Sequence, residues 1–327
     1  MSESTQSAFR LAVDHAILAP SSHNSQPWLF SLEPTALELF ADRSRALPVV
    51  DPDDRELTMS CGAALFHAKI ALRHLGHAPV VSLLPEQDNP DLLARITVSG
   101  PYSADGDEHA LLRAIPERRT YRHPFQDVPI LGQDMESLVS AATMEGAWLV
   151  LVSDDRARTA LAKLIGEADR VQTANRHFRR ELASWLHSNR SRSRDGIPGY
   201  SFGMGPITSE VFPHVVRTFD TGTLRAAADQ EVALGSPVLA VLGTEHDSPR
   251  DWMMCGEALG HVLLQACSMD IAASFLNQPI EVPELRTEVG GIVGQSGHPQ
   301  LILRMGYPTR RDIPPTPRRP VHDVLLR

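Results

Sequence analysis

Apolar residues recur with helical spacing over residues 5–18, and the pattern stops at Ala19-Pro20 because a residue before proline is pushed out of the α region. Alternation then takes over. Residues 28–32 and 36–41 read as short strands, the second setting Leu37 and Leu39 against Glu38. Asp51-Pro52 offers a cap and a first-turn proline for a long helix, whose positions Leu57, Cys61, Ala64, Leu65, Ala68, Leu72 and Leu75 keep to one face. Residues 79–84 and 92–98 read as further strands, and this first series closes near Ile115-Pro116. A similar order follows: a helix around 133–144, a strand over 147–152, a helix capped by Asp154, a strand over 237–243 and a second long helix opened by Ser248-Pro249. A last strand lies in the stretch LILRMGYP, residues 301–308.

The two long helices carry a repeat. Residues 59–67 read MSCGAALFH and residues 253–261 read MMCGEALGH, so Met, Cys, Gly, Ala, Leu and His recur 194 positions apart. That period is too long for a solenoid and suits a dimer fused into one chain, with a pseudo-twofold axis where the interface would be. The expected division is a first unit over 1–116 and a second over 117–327. Both long helices are rich in small residues, so they are expected to pack against each other at the axis. Residues 170–232 have no counterpart in the first unit. They hold Arg170, Arg176, Arg179, Arg180, Arg190, Arg192 and Arg194, then glycines at 196, 199, 203 and 205. Such an insert reads either as a solvated helical hairpin or as a lid over a pocket, hinged at its glycines. The tail over 308–327, with its IPPTPRRP stretch, is expected to wrap the surface.

Composition narrows the partners. The 327 residues are 42% hydrophobic and 22% charged, with a net charge of −9. An acidic surface argues against general nucleic-acid binding, which selects for basic ones. The N-terminal segment lacks the basic and apolar regions of a signal peptide, and no apolar run reaches the roughly 20 residues that span a bilayer. Three cysteines make no disulfide framework. A cytoplasmic protein without a membrane partner is expected. Cys61/His67 and Cys255/His261 are six residues apart, which puts each pair on different helix faces, so no metal is expected. No Walker motif occurs, and Gly203-Met204-Gly205 lacks the later glycine of a dinucleotide fingerprint.

Two polar motifs occur once each. Arg118, Thr120 and Arg122 alternate, so in an extended segment two guanidiniums and a hydroxyl point the same way, a suitable grip for a phosphate. On its own the motif also reads as a solvated surface turn. Ser21, Ser22 and Asn24, held between Pro20 and Gln26-Pro27-Trp28, make a rigid polar loop offering donors and acceptors to a heteroaromatic edge, or simply a turn joining helix to strand.

PSSHNSQPW (20–28), RRTYRHPF (118–125), the helix CGEALGHVLLQAC leading to 271–279, and the closing LILRMGYP together resemble the FMN-dependent nitroreductase family over most of the chain. The two-in-one arrangement with an inserted lid, and the stretch over 41–65, are similar to its Acg branch, in which the usual homodimer is fused. The resemblance implies an α+β fold: a mostly antiparallel sheet in each pseudo-subunit, helices on both sides, and a helical core at the pseudo-dimer axis. It also implies FMN as cofactor. Arg118 and its neighbour Arg119 would then serve the phosphate, Thr120 the ribityl region, and Arg122 the N1/C2 edge. Pro20, Ser21, Ser22 and Asn24 would approach the same flavin from the other pseudo-subunit. Leu276, Asn277 and Gln278 would stand near flavin N5, without the glycine many members carry there, and Arg310 or Arg311 would reach the phosphate. Because each half keeps a different motif, one complete site and one FMN per chain are expected. No side chain need act as a nucleophile, because the flavin carries the chemistry.

The function implied is an oxidoreductase in which NADH or NADPH reduces the flavin and an electron-poor small molecule takes the electrons. A flavin-holding protein with a closed lid and little turnover is the alternative, and an interaction scaffold built on the arginine-rich insert is a third. A monomer closed by its internal pseudo-symmetry is compatible with the repeat, as is further dimerisation.

Overall fold

The computed structural model describes residues 3–326. Its first half runs α1 (Glu3–Ala16), β1 (Trp28–Leu32), β2 (Leu37–Ala41), α2 (Arg55–His74), β3 (His77–Leu83), β4 (Leu92–Pro101) and α3 (Gly106–Glu117). The second half runs α4 (Gly132–Met144), β5 (Trp148–Val152), α5 (Asp155–Ala174), α6 (Arg176–Trp185), β6 (Leu186–His187), β7 (Ile197–Pro198), α7 (Pro206–Thr218), α8 (Gly222–Leu234), β8 (Val238–Thr244), α9 (Pro249–Ser268), β9 (Ala272–Phe275), α10 (Pro283–Val293), β10 (His298–Gly306) and the short α11 (Val321–Val324).

Two four-stranded antiparallel sheets share one topology. Their strand orders are β1-β2-β4-β3 and β5-β8-β10-β9, so β1, β2, α2, β3 and β4 have counterparts in β5, β8, α9, β9 and β10. This is the α+β architecture implied by the resemblance. The sheets differ in burial. β2 is buried at all but Phe40, with Glu38 between the apolar Leu37 and Leu39 accepting from Arg95 Nε of β4 at 2.6 Å, while β3 is half-buried or exposed throughout. β8, the unbroken run VLAVLGT, is buried at every position because helices cover both faces of its sheet.

α2 and α9 cross at their repeated glycines. A Cβ on Gly62 would fall onto the Met253 carbonyl oxygen and lie 2.8 Å from Gly256 Cα; one on Gly256 would strike the Met59 carbonyl and lie 2.8 Å from Gly62 Cα. The small-residue face therefore does what its composition implied. Cys61, Cys255 and His67 are buried in this helical core.

The Ser248 capping box with Asp251 and the Asp154 cap form as the sequence indicated. The Asp51-Pro52 reading is corrected. α2 begins at Arg55, after Asp54 in the left-handed region, and Asp51 acts from outside the helix by accepting from the Leu57 N–H at 2.9 Å. α3 was not anticipated. The 116/117 division falls in its last turn, one residue before its end. The insert limits also shift, since 170 lies inside α5 and 232 inside α8. Leu161, Ile165 and Ala168 of α5 and Ala233 of α8 pack in the core against β8 and β10.

The excursion beyond the sheet, from α6 to α7, crosses to the first half. Phe178, Leu182, Leu186 and Ile197 pack on Leu47 and Val50, and Glu181 accepts from the Val49 and Val50 N–H groups at 2.9 and 3.0 Å. Gly196 ties these parts together. Its N–H donates to Asn24 O at 3.2 Å, and its carbonyl accepts from Asn24 Nδ2 at 2.9 Å.

Candidate functional site

A cavity of about 780 Å³ opens where the two halves, the excursion and the tail meet. The loop over 20–24 forms one wall. His23, Asn24 and Gln26 all have positive φ (52°, 56° and 53°), unusual for residues with side chains. Such strain persists only where the surroundings over-determine it. Here Gln26 N–H donates to Ser21 Oγ at 3.0 Å, Gln26 Nε2 to Arg194 O at 2.8 Å, and Arg319 N–H to Gln26 Oε1 at 2.7 Å. The loop is pinned jointly by the excursion and the tail.

The second wall is the extended segment after α3. Tyr121 N–H donates to Ala273 O at 2.8 Å and Thr120 bridges to Ala273, which seats the arginine motif beside β9. Arg118 is 7% exposed, yet its Nε has no partner and its guanidinium meets no carboxylate among the described residues. Burial, helped by Arg119, pushes its pKa down to about 10. Arg122 is pushed to about 10 by burial and Arg304, and stands over the Phe202 ring at 5.1 Å. Arg119 Nη1 donates to the Pro116 and Arg118 carbonyls at 2.6 and 2.9 Å, while its Nε has no partner among the described residues.

The structure thus brings Pro20, Ser21, Ser22, Asn24, Arg118, Arg119, Thr120, Arg122, Asn277 and Gln278 to one cavity. It leaves others out. Leu276 packs in the core against β10. Arg310 and Arg311 are absent from this wall. They are half to mostly exposed, paired with Asp312 and Asp270 at 2.9 Å, and line a neighbouring cavity of about 440 Å³ that also borders Arg118 and Arg119. Some members of the set are already engaged. Asn24 Nδ2 donates to Gly196 O and Pro317 O, Asn24 Oδ1 accepts from Arg318 at 2.9 Å, and Asn277 Oδ1 accepts from Ile302 N–H at 3.0 Å.

Sequence reasoning missed Arg318. The tail carries it back across the loop, where it donates to the Leu18 and Ala19 carbonyls, each at 3.3 Å. Burial, then Arg118 and Arg119, push it down to about 9. Residues 313–316 line the cavity as a strap, held by Tyr200 Oη donating to Pro315 O at 2.8 Å. The sequence signal was IPPTPRRP, whose spacing says only that the chain is extended there. Carboxylates collect opposite the arginines. Ser22 Oγ donates to Glu56 at 2.5 Å, and Glu281 is pushed up to about 8 by burial and by Glu56. His23 is lowered to about 4 by burial, Arg225 and Arg122, so it is neutral at pH 7.

A separate polar cluster links the two long helices to the residue after α4. Lys69 of α2 donates to Glu145, which ends α4, at 2.9 Å and also to Glu257 of α9, while His261 lies 3.2 Å from Glu145.

No family profile matches the chain. A protein of Mycobacterium tuberculosis named as an NAD(P)H nitroreductase is 34% identical over 319 residues, covering 97% of this chain and 90% of its own. With that likeness the chain belongs to the NAD(P)H nitroreductase family. The Acg protein of M. tuberculosis, also named as an NAD(P)H nitroreductase, is 32% identical over 333 residues, covering 98% of this chain and 96% of its own. Among solved structures, the FMN-dependent nitroreductase NfnB of Mycobacterium smegmatis in complex with NADPH aligns with a TM-score of 0.44 and 17% identity, over 66% of this chain and 96% of that one. Among the described residues, no helix is long and apolar enough to cross a membrane.

Proposed function

We propose that the chain is an NAD(P)H-dependent FMN oxidoreductase holding one flavin in the 780 Å³ cavity. The observation that carries this reading is the buried Arg118 guanidinium, whose Nε has no partner and which makes no ion pair among the described residues, with Arg122 and Arg318 on the same cavity. Buried cations of this kind are stable only with an anionic partner. A phosphate monoester and the electron-rich edge of a reduced isoalloxazine supply negative charge at two separate points. The volume lies within the roughly 300–1,000 Å³ of cofactor and small-molecule sites. The residues therefore fit the group.

Arg118 and Arg318 would hold the phosphate, with Arg310 and Arg311 adding longer-range positive charge through the neighbouring cavity. Thr120 and the Ser21 hydroxyl would meet the polar chain, and Arg122 the pyrimidine edge, where a cation favours the reduced state. The flavin, when bound, supplies hydride chemistry between a reduced nicotinamide and a small electron-poor acceptor. The protein's own part is to orient and shield. Phe178, Leu182, Phe202, Phe212 and Val216 line the cavity from the excursion, and the 313–316 strap narrows it. The halves 1–116 and 117–327 would act as two pseudo-subunits around this single site. A monomer is the proposed state.

That same cover favours a second reading, a flavin-holding protein with little turnover. An absorbance spectrum of the loaded protein, followed by anaerobic addition of NADH or NADPH, separates the two. Rapid bleaching of the yellow flavin supports the oxidoreductase, and persistent colour supports retention without turnover. Failure to take up FMN, or a stoichiometry near two per chain, overturns the site assignment.

A further inference from the structure

The side of α7 turned away from the cavity is apolar and uncovered. Its inward side chains Phe212 and Val216 line the cavity, and Ser209 is buried. On the outward side Ile207, Val211 and Val215 recur every four residues, which stacks them in one stripe along the helix. Ile207 and Leu224, the latter in the first turn of α8, are 79% and 77% exposed, the highest values for large apolar side chains among the described residues. Val211 and Phe219 are more than half exposed. Single exposed apolar residues are ordinary, but a cluster of them on one short segment marks a contact surface.

Basic residues border the stripe. Glu210 and Arg217, seven residues apart, share one flank of α7, and Arg190 reaches Glu210 from the preceding loop at 3.1 Å. Arg217, Arg192 on that loop, and Arg176 and Arg180 on α6, which packs against α7, are exposed and make no ion pair among the described residues. Residues 176–225 carry eight arginines against four acidic residues, so this part stands at +4 in a chain whose net charge is −9. A partner for such a surface must offer both anions and hydrocarbon. A nucleic-acid backbone would meet only the arginines. A stable protein partner needs about 800 Å² on each side, usually with pockets for its anchors, and these four apolar side chains offer far less and line neither cavity.

We propose that this face of the excursion adsorbs to an anionic bilayer surface. α7 lies in the headgroup plane, Ile207, Val211, Phe219 and Leu224 enter the acyl boundary, and Arg190, Arg192 and Arg217 meet lipid phosphates. Protruding side chains suit insertion of this kind, and the basic flank supplies the attraction that brings an otherwise acidic protein to the membrane. Adsorption needs no spanning helix, and it revises the expectation of a chain without a membrane partner. The surface is complete without a bound flavin, so it stands apart from the oxidoreductase reading.

The test is flotation of the full chain with vesicles of phosphatidylcholine alone or with about one third phosphatidylglycerol. At about 0.1 M salt the anionic vesicles should bind at least about ten-fold tighter, and about 1 M salt should remove most of that difference. Ile207→Ser combined with Val211→Ser should weaken binding to anionic vesicles by at least about ten-fold. Arg192→Gln combined with Arg217→Gln should weaken it by at least about five-fold and flatten its salt dependence. Leu131→Ser combined with Met144→Ser, at exposed positions flanking and ending α4, should change it by less than about two-fold. All these positions are exposed, and if a variant still fails to fold, the lipid preference and salt dependence of the parent decide. No preference for anionic vesicles, or binding that survives both pairs of substitutions in the excursion, overturns the proposal. Sedimentation velocity supplies the other refutation: a self-associated parent that Ile207→Ser with Val211→Ser turns into a monomer, with vesicle binding unchanged, would mean that the stripe joins copies of the chain.

Discussion

Replacing Arg118 by methionine should move the stability of the cofactor-free protein and its affinity for FMN in opposite directions. Arg118 is buried, its Nε has no partner, and it makes no ion pair with a carboxylate among the described residues. Holding a guanidinium near 10, well below its ordinary value of 12.5, costs the folded state on the order of 3 kcal/mol at neutral pH, at about 1.36 kcal/mol per pKa unit. The sign follows from linkage. A basic group lowered in the folded state destabilises it wherever the group is charged, and the penalty fades only as pH rises through about 10. Across pH 6–9 the penalty is therefore constant, and methionine, which fills most of the same volume, removes it. For a chain of this size the gain corresponds to a rise in Tm of about 4–5 °C. The same change deletes a charge-assisted hydrogen bond to phosphate, about 1.5–3 kcal/mol, so the FMN dissociation constant should rise by about 10- to 150-fold. Differential scanning calorimetry of the cofactor-free protein and fluorescence-quench titration with FMN measure the two effects. A destabilised variant with unchanged FMN affinity would refute the reasoning, because it would mean that Arg118 is satisfied by the protein alone.

Other outcomes follow from the same geometry. Gly256→Ala drives a methyl into Met59 and Gly62 and should cost about 3 kcal/mol by urea unfolding, whereas Gly291→Ala in α10, with open space around its Cβ, should be neutral or stabilising by up to about 1 kcal/mol. Lys69→Met strands Glu145 and Glu257 and should cost about 3–5 kcal/mol at pH 7. Burial opposes ionisation of Glu145, but its hydrogen bond with His261 and the charge of Lys69 hold it down to about 2, so the parent has that stability in full above the ordinary value of 4.5 and loses it progressively as pH falls from there to about 2. In the variant the stranded carboxylates are relieved by protonation, and unfolding at pH 5 should show a smaller deficit than at pH 7. Arg318→Met should weaken FMN binding by at least about ten-fold, while Arg311→Met, which removes an exposed pair with Asp270, should change it by less than about three-fold; titration of both variants separates the wall of the cavity from its surroundings.

Periodicity and caps made much of the fold legible. Leu37-Glu38-Leu39 announced a strand with two unlike faces, residues 237–243 announced a second strand, and the small residues of the two long helices announced a close crossing. α3 escaped because GDEHALLRAIPE ends on Ile115-Pro116, which reads as a boundary, and its contacts are made with α2 and α9 far away in sequence. Asp51 misled because an aspartate that accepts a helical N–H from outside the helix looks the same in sequence as one that caps it.

By itself the sequence determined the elements, their duplication and the two unrepeated motifs, since each is a local pattern of side-chain size, charge and backbone preference. Only the tertiary structure decided which of those residues share a cavity. Arg310 and Arg311 lie just past the final strand yet face elsewhere, while Arg318, with nothing in its neighbourhood to mark it, is carried back to Asn24. Tertiary structure also decided which polar groups are already spent. Asn24 and Asn277 are hydrogen-bonded to the protein, and Arg118 and Gln278 Oε1 are not. The physical reason is that burial and hydrogen-bond completion depend on segments hundreds of residues apart in the chain, and those long-range contacts separate a binding group from a structural one.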